Sequence, residues 1–143
     1  MARLRRPPES TDYRGLQLPA PTRLTPQRKV VLDVIAERNG SFTAIDVFEA
    51  ARRRKPRLGL ATVYRTVDLL RRTGSVRPLV GDARPAYVRC ETGHHHHLVC
   101  LSCGAVEETD LCGAPSGAEL RRRYGFTAVA HELDVYGTCA RCA

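Results

Sequence analysis

All six cysteines and all five histidines of this 143-residue chain lie at or beyond Cys90. Four of the cysteines form two CxxC pairs, Cys100/Cys103 and Cys139/Cys142, separated by 35 residues. Two such pairs supply four thiolates to one tetrahedral ion. Zinc fits best, because a closed all-thiolate site is typically structural and adds folding energy. The gap is longer than in compact zinc ribbons, so the site would staple the C-terminal tail back onto a first strand pair. A redox CxxC needs a helix after its first cysteine to lower the thiol pKa. Cys142 is the penultimate residue, which leaves no room for one.

Cys90 and the run His94-His95-His96-His97 are the second signal. On an extended segment alternate residues face opposite ways. His95 and His97 would share one face, and His94 and His96 the other, so four consecutive histidines can serve two metal sites. A mixed Cys/His set suits zinc better than iron or manganese. Solvated histidines are the plainer alternative; a purification tag fits poorly, since the run is internal and leads into Cys100. Residues 127–136 alternate cleanly and predict a half-buried strand with His131 on its apolar face. Alone, His131 would be an ordinary core histidine; beside the run it becomes a candidate ligand. Cys112 stays open as a buried apolar residue, a spare ligand or an exposed thiol.

The charge divides the chain at the same place. Residues 1–88 hold 18 basic and 8 acidic side chains, and residues 89–143 hold 5 and 7. A half at +10 joined to one at −2 suggests an anion-binding module, with nucleic acid the first candidate and solubility charge the bland one. The length allows one ordinary domain or two small ones. With 43% hydrophobic residues and no Trp, aliphatic side chains must fill the core. No apolar run approaches the roughly 18 residues of a membrane span, and no leader is evident. A cytoplasmic location without membrane association is therefore expected, and clustered Cys and His there read as metal ligands rather than disulfides.

Residues 1–22 hold four prolines and predict a mobile basic arm. Thr25-Pro26 opens a first helix, which ends at Arg38 before Asn39-Gly40. Thr43 and Asp46 resemble a capping box for a second helix, which runs into Arg52-Arg53-Arg54-Lys55 and stops at Pro56. A third spans residues 60–72 and closes at Gly74, with Val63, Val67 and Leu70 facing the core. A hairpin follows, residues 75–80 and 86–90, turning at Gly81-Asp82. Three helices and a hairpin make a winged helix-turn-helix over residues 23–88. Residues 89–143 predict an α/β domain, with strands near residues 97–100 and 105–107 and a helix over residues 117–124. The fold class is thus α+β.

The segments Leu24-Thr25-Pro26-Gln27-Arg28 and Gly59-Leu60-Ala61-Thr62-Val63-Tyr64-Arg65-Thr66, and the histidine run ahead of Cys100-Leu101-Ser102-Cys103-Gly104, carry a likeness. With His131 and the closing Gly137-Thr138-Cys139-Ala140-Arg141-Cys142, the chain resembles the ferric uptake regulator (Fur) superfamily over roughly residues 22–143. The resemblance implies a homodimeric, metal-responsive repressor with an N-terminal winged helix and a C-terminal α/β dimerisation domain. It implies DNA contacts from Thr62, Tyr64 and Arg65 of the recognition helix, with Arg28 and Arg53 nearby, on a palindromic double-stranded operator.

Within the superfamily the zinc-uptake branch (Zur) is most similar, because Cys90 matches its sensing thiolate and no histidine precedes His94. That likeness assigns Cys90, His95 and His97 to a hinge sensing site, and His94, His96 and His131 to a second regulatory site. It leaves Cys100, Cys103, Cys139 and Cys142 as structural zinc ligands. An iron- or peroxide-responsive regulator is the alternative, and a zinc-stabilised interaction module without DNA the rival from another class. The chain departs from the pattern twice. The usual acidic ligand after the recognition helix falls at Arg77, and the acid of the second site falls near Ala114. Asp82 is a candidate to close the first site; Glu107, Glu108, Asp110 or Cys112 could close the second. A zinc enzyme is excluded by the lack of HExxH and of the zinc-deaminase pattern.

Overall fold

The computed structural model describes residues 10–79, 85–90 and 94–143. The chain divides into two compact units, one reaching residue 92 and the other starting at residue 93. The boundary expected from the charge pattern, at 88/89, falls one residue before the end of the strand Ala86–Arg89.

The first unit opens with a hairpin, β1 (Ser10–Tyr13) and β2 (Leu16–Pro19), paired antiparallel from Ser10↔Pro19 to Tyr13↔Leu16. This corrects the expectation of a mobile arm over residues 1–22; residues 1–9 lie outside the described part. Arg14 and Gly15 both take positive φ, 52° and 82°, as a tight two-residue hairpin turn requires. Leu16 and Leu18 enter the core, 1% and 0% exposed. The backbone N–H of Gln17 donates to Ser75 Oγ at 2.7 Å, and the Tyr13 hydroxyl donates to Asp33 at 3.1 Å. The alternation of Leu16 and Leu18 was the signal; it is short and sits among prolines and charge.

Helix α1 (Pro26–Ala36) starts where the sequence indicates, with Arg28 N–H donating to Thr25 Oγ1 at 3.2 Å. It ends at Ala36, before Arg38. Strand β3 (Phe42–Thr43), which the sequence reading missed, leads into α2 (Ala44–Arg54). The capping box forms in both directions: Asp46 N–H to Thr43 Oγ1 at 3.1 Å, and Thr43 N–H to Asp46 Oδ2 at 2.7 Å. The basic last turn of α2 meets the negative end of the helix dipole. Helix α3 (Leu60–Thr73) closes on Gly74 at φ 78°. The wing strands β4 (Val76–Pro78) and β5 (Ala86–Arg89) pair antiparallel, and β3 joins them in the order β3-β5-β4. The predicted turn at Gly81-Asp82 lies outside the described residues. The helices bury Val31, Leu32, Ile35, Val47, Val63 and Leu70 in one core with Phe42 and β2.

The second unit is a three-stranded sheet and one helix. Strand β6 (His96–Cys100) is central, with β7 (Val106–Thr109) antiparallel on one side and β8 (Asp134–Gly137) parallel on the other. Helix α4 (Gly117–Tyr124) lies between β7 and β8 in the chain. The strand predicted over residues 127–136 shortens to β8. Val129, expected on its buried face, is 87% exposed. Alternation alone could not show that the strand begins only at Asp134, just after Leu133 O accepts from His97 N–H at 3.3 Å. Among the described residues no helix is long and apolar enough to cross a membrane.

Candidate metal centres and nucleic-acid interface

The two CxxC pairs follow the ends of two neighbouring strands. Because β6 and β8 run parallel with Cys100 opposite Gly137, their ends present both pairs at one edge. Leu101 N–H donates to Gly137 O at 2.8 Å and locks the two chain ends together. Each pair sits on a tight turn, with Gly104 N–H donating to Cys100 O at 2.9 Å and Ala143 N–H to Cys139 O at 3.0 Å. The four sulfurs lie within 4.8 Å of one another, and Cys103 and Cys139 are 3.8 Å apart. A zinc–sulfur bond of about 2.3 Å gives a tetrahedral edge of about 3.8 Å, so this quartet fits a zinc ion. The Cys139 N–H, 3.4 Å from the Cys100 sulfur, leads the backbone donors that bring the Cys100 thiol down to about 6. The amide of Arg141 lowers Cys139. The neighbouring sulfurs, Cys103 first and then Cys139, push the Cys142 thiol up to about 12.

The histidine run alternates as expected. The rings of His94 and His96 stand 4.6 Å apart, and those of His95 and His97 stand 4.9 Å apart. His131 joins the first set, its ring 4.7 Å from His94 and 5.2 Å from His96. The Cys112 sulfur lies 3.2 Å from His131 Nε2, and the four donor atoms fall within 4.8 Å of one another. Among the described residues no carboxylate belongs to that group; Glu107 and Glu108 lie on β7 and Asp110 just after it.

In the second set, His97 is buried and its Nδ1 is 3.2 Å from the Asp134 carboxylate. With Nδ1–H donating to Asp134, Nε2 keeps its lone pair for a metal. Sequence reasoning missed Asp134; only the parallel register His97↔Asp134 brings it into place. Cys90 follows β5 in the first unit, where its N–H donates to Ser75 O at 3.0 Å. Arg77 lies on β4 opposite Val88. Asp82 lies outside the described residues.

On α3, Tyr64 and Arg65 are exposed, while Thr62 is half-buried and its carbonyl accepts from Thr66 Oγ1 at 2.7 Å. Arg53 is exposed on α2. Its neighbours are engaged: Arg52 stacks over Phe48 at 5.4 Å, and Arg54 pairs with Glu37. Arg28 donates to the Arg23 carbonyl.

The pattern of the ferric uptake regulator family matches residues 20–136. The chain belongs to the ferric uptake regulator family. Fur-family proteins are metal-responsive transcription regulators, so this chain is a regulator and not an enzyme. It is 36% identical over 126 residues to the ferric uptake regulation protein of Bacillus subtilis, covering 84% of this chain and 85% of that one. It is 36% identical over 125 residues to the zinc uptake regulation protein of Mycobacterium tuberculosis, covering 86% and 96%. A solved zinc uptake regulator complexed with zinc and DNA superposes with a TM-score of 0.60 at 30% identity, covering 85% of this chain and 83% of that one. In this Fur-family chain the order of elements in the first unit is that of a winged helix-turn-helix, with α3 in the recognition position.

Proposed function

We propose that this Fur-family chain is a zinc-responsive repressor that binds a palindromic double-stranded operator as a homodimer. The observation that carries the reading is the donor chemistry of the second unit. Two imidazole sets converge on opposite faces of one segment, and among the described residues a thiol, Cys112, joins the His94, His96 and His131 set where no carboxylate does. Thiolate and imidazole suit zinc, whereas iron and manganese sites draw more on carboxylates. The zinc- and DNA-bound relative at 30% identity supports it. Identity to the ferric uptake regulation protein of Bacillus subtilis is the same 36% and favours neither metal; the thiol of Cys90 favours zinc.

A bound zinc ion would supply a fixed tetrahedral centre. Cys100, Cys103, Cys139 and Cys142 would hold one as a structural clip. Cys90 closes the winged-helix unit, and His95 and His97 open the next, so these three are assigned to the sensing site. His97 is held in one tautomer by Asp134. Shared ligation would favour one orientation of the DNA-binding unit, and zinc affinity and DNA affinity then rise together by linkage. Tyr64 and Arg65 would read base edges, and Arg28, Arg53 and Thr62 would fix the helix on the backbone. His94, His96 and His131 form the second regulatory set.

The test measures operator affinity, on duplexes selected from a random pool, against buffered free zinc, iron and manganese. Wild type should bind about 5–150-fold tighter with zinc, and Cys90→Ser should lose that gain while keeping its fold and structural zinc. Superimposable curves for the two proteins would remove Cys90 from the sensor. A response to iron alone would overturn the zinc reading.

A further inference from the structure

The His94, His96 and His131 set offers three donors, one short of a closed tetrahedron. In the sheet, Thr109 pairs with His96, so the chain leaving β7 runs back past the start of β6, where His94 lies. Leu111 N–H donates to Thr109 Oγ1 at 3.1 Å and turns the loop there. The next residue is Cys112, whose sulfur is 3.2 Å from His131 Nε2. Bonds of about 2.0–2.1 Å to nitrogen and about 2.3 Å to sulfur give a tetrahedral N–S edge of about 3.6 Å. Donor atoms already within 4.8 Å of one another close onto an ion with small movements.

We propose that Cys112 is the fourth ligand of this centre, which makes it a His3Cys site of zinc type. The proposal rests on the reading that the three histidines bind metal. A thiolate here excludes the hard, oxygen-preferring ions that a carboxylate would admit. It also places an alkylatable sulfur, exposed in the free protein, under the control of metal occupancy.

The full-length protein, with zinc retained in the four-cysteine site and verified by metal analysis, is titrated with cobalt(II). The Cys90→Ser background removes the other candidate regulatory thiolate. There, added cobalt should give intense tetrahedral visible bands and a sulfur-to-cobalt charge-transfer band in the near ultraviolet. Cys90→Ser/Cys112→Ser should lose the ultraviolet band and bind cobalt at least about tenfold more weakly, since even an outer-shell change costs that much. In wild type, zinc should protect Cys112 from iodoacetamide, read by peptide mass, and His131→Ala should abolish the protection. Cobalt bound tightly with no sulfur band in the Cys90→Ser protein would leave the histidine set standing and overturn the role of Cys112. No cobalt beyond the four-cysteine site would overturn both. Equal alkylation of Cys112 with and without zinc would also overturn the proposal.

Discussion

His97 donates to a carboxylate whose side chain is only 8% exposed, and its own ring is buried. Both partners are therefore fixed by packing as well as by the hydrogen bond. A carboxylate behind a ligating imidazole fixes the tautomer and raises the basicity of the other nitrogen. Asp134→Asn keeps the size and removes the charge. It should weaken zinc at the His97 site by about 10–100-fold, measured by chelator competition, with the four-cysteine site unaffected. Unchanged affinity would make the pair purely structural. The arginines separate in the same way. Arg65 projects from the recognition helix, and Arg→Ala at a guanine contact removes about 1–3 kcal/mol of base discrimination. Arg53→Ala should instead weaken cognate and random duplexes alike and flatten the salt dependence of binding. Equal loss on both duplexes for Arg65→Ala would make Arg65 a backbone contact.

At the scale of elements, the β1–β2 hairpin is part of the winged-helix core. Leu18 is fully buried beneath it, and Thr73 Oγ1 donates to the β2 backbone at Gln17. Leu18→Ala should cost about 2–5 kcal/mol, as buried leucine truncations do, read from the urea midpoint; a change under about 0.5 kcal/mol, as at a typical surface site, would mean that the hairpin is dispensable. The helices were legible because their ends carry local chemistry: Thr25 before Pro26, Thr43 with Asp46, Gly74 and Gly125 in left-handed positions. The strands were less so. β3 is two residues long, and its only warrant is a partner far along the chain at Tyr87. Residues 127–133 alternate in sequence but gain no strand, because alternation describes faces and not pairing. The grouping of the candidate metal donors was legible from their types and spacing. Their outer partners were not, since Asp134 reaches His97 only through a parallel register.

At the scale of the molecule, the second unit leaves Leu101, Leu111, Phe126 and Val129 more than half exposed, and α4 buries none of its residues. Fifty-one residues are few for a self-sufficient core. A copy of itself and a metal clip would complete such a unit, in keeping with the homodimer proposed above. Dilution should therefore unfold the second unit before the first, observable as concentration-dependent melting of one transition only. A single concentration-independent transition would oppose this.

The alternation of the histidine run has a genetic consequence. Each imidazole is addressed by its parity along the chain, not by its identity. One alanine inserted between His95 and His96 would leave every donor in the protein, yet it would reassign them. His95 would now point with His96 towards His131, in the place of His94. His94 would move to the side of His97, but four residues away, about 13 Å at strand rise. The insertion should therefore spare the His131 centre and silence the sensing pair. Substitutions of either histidine alone would not distinguish a lost ligand from a lost address; a frame shift of one residue within the pleat does.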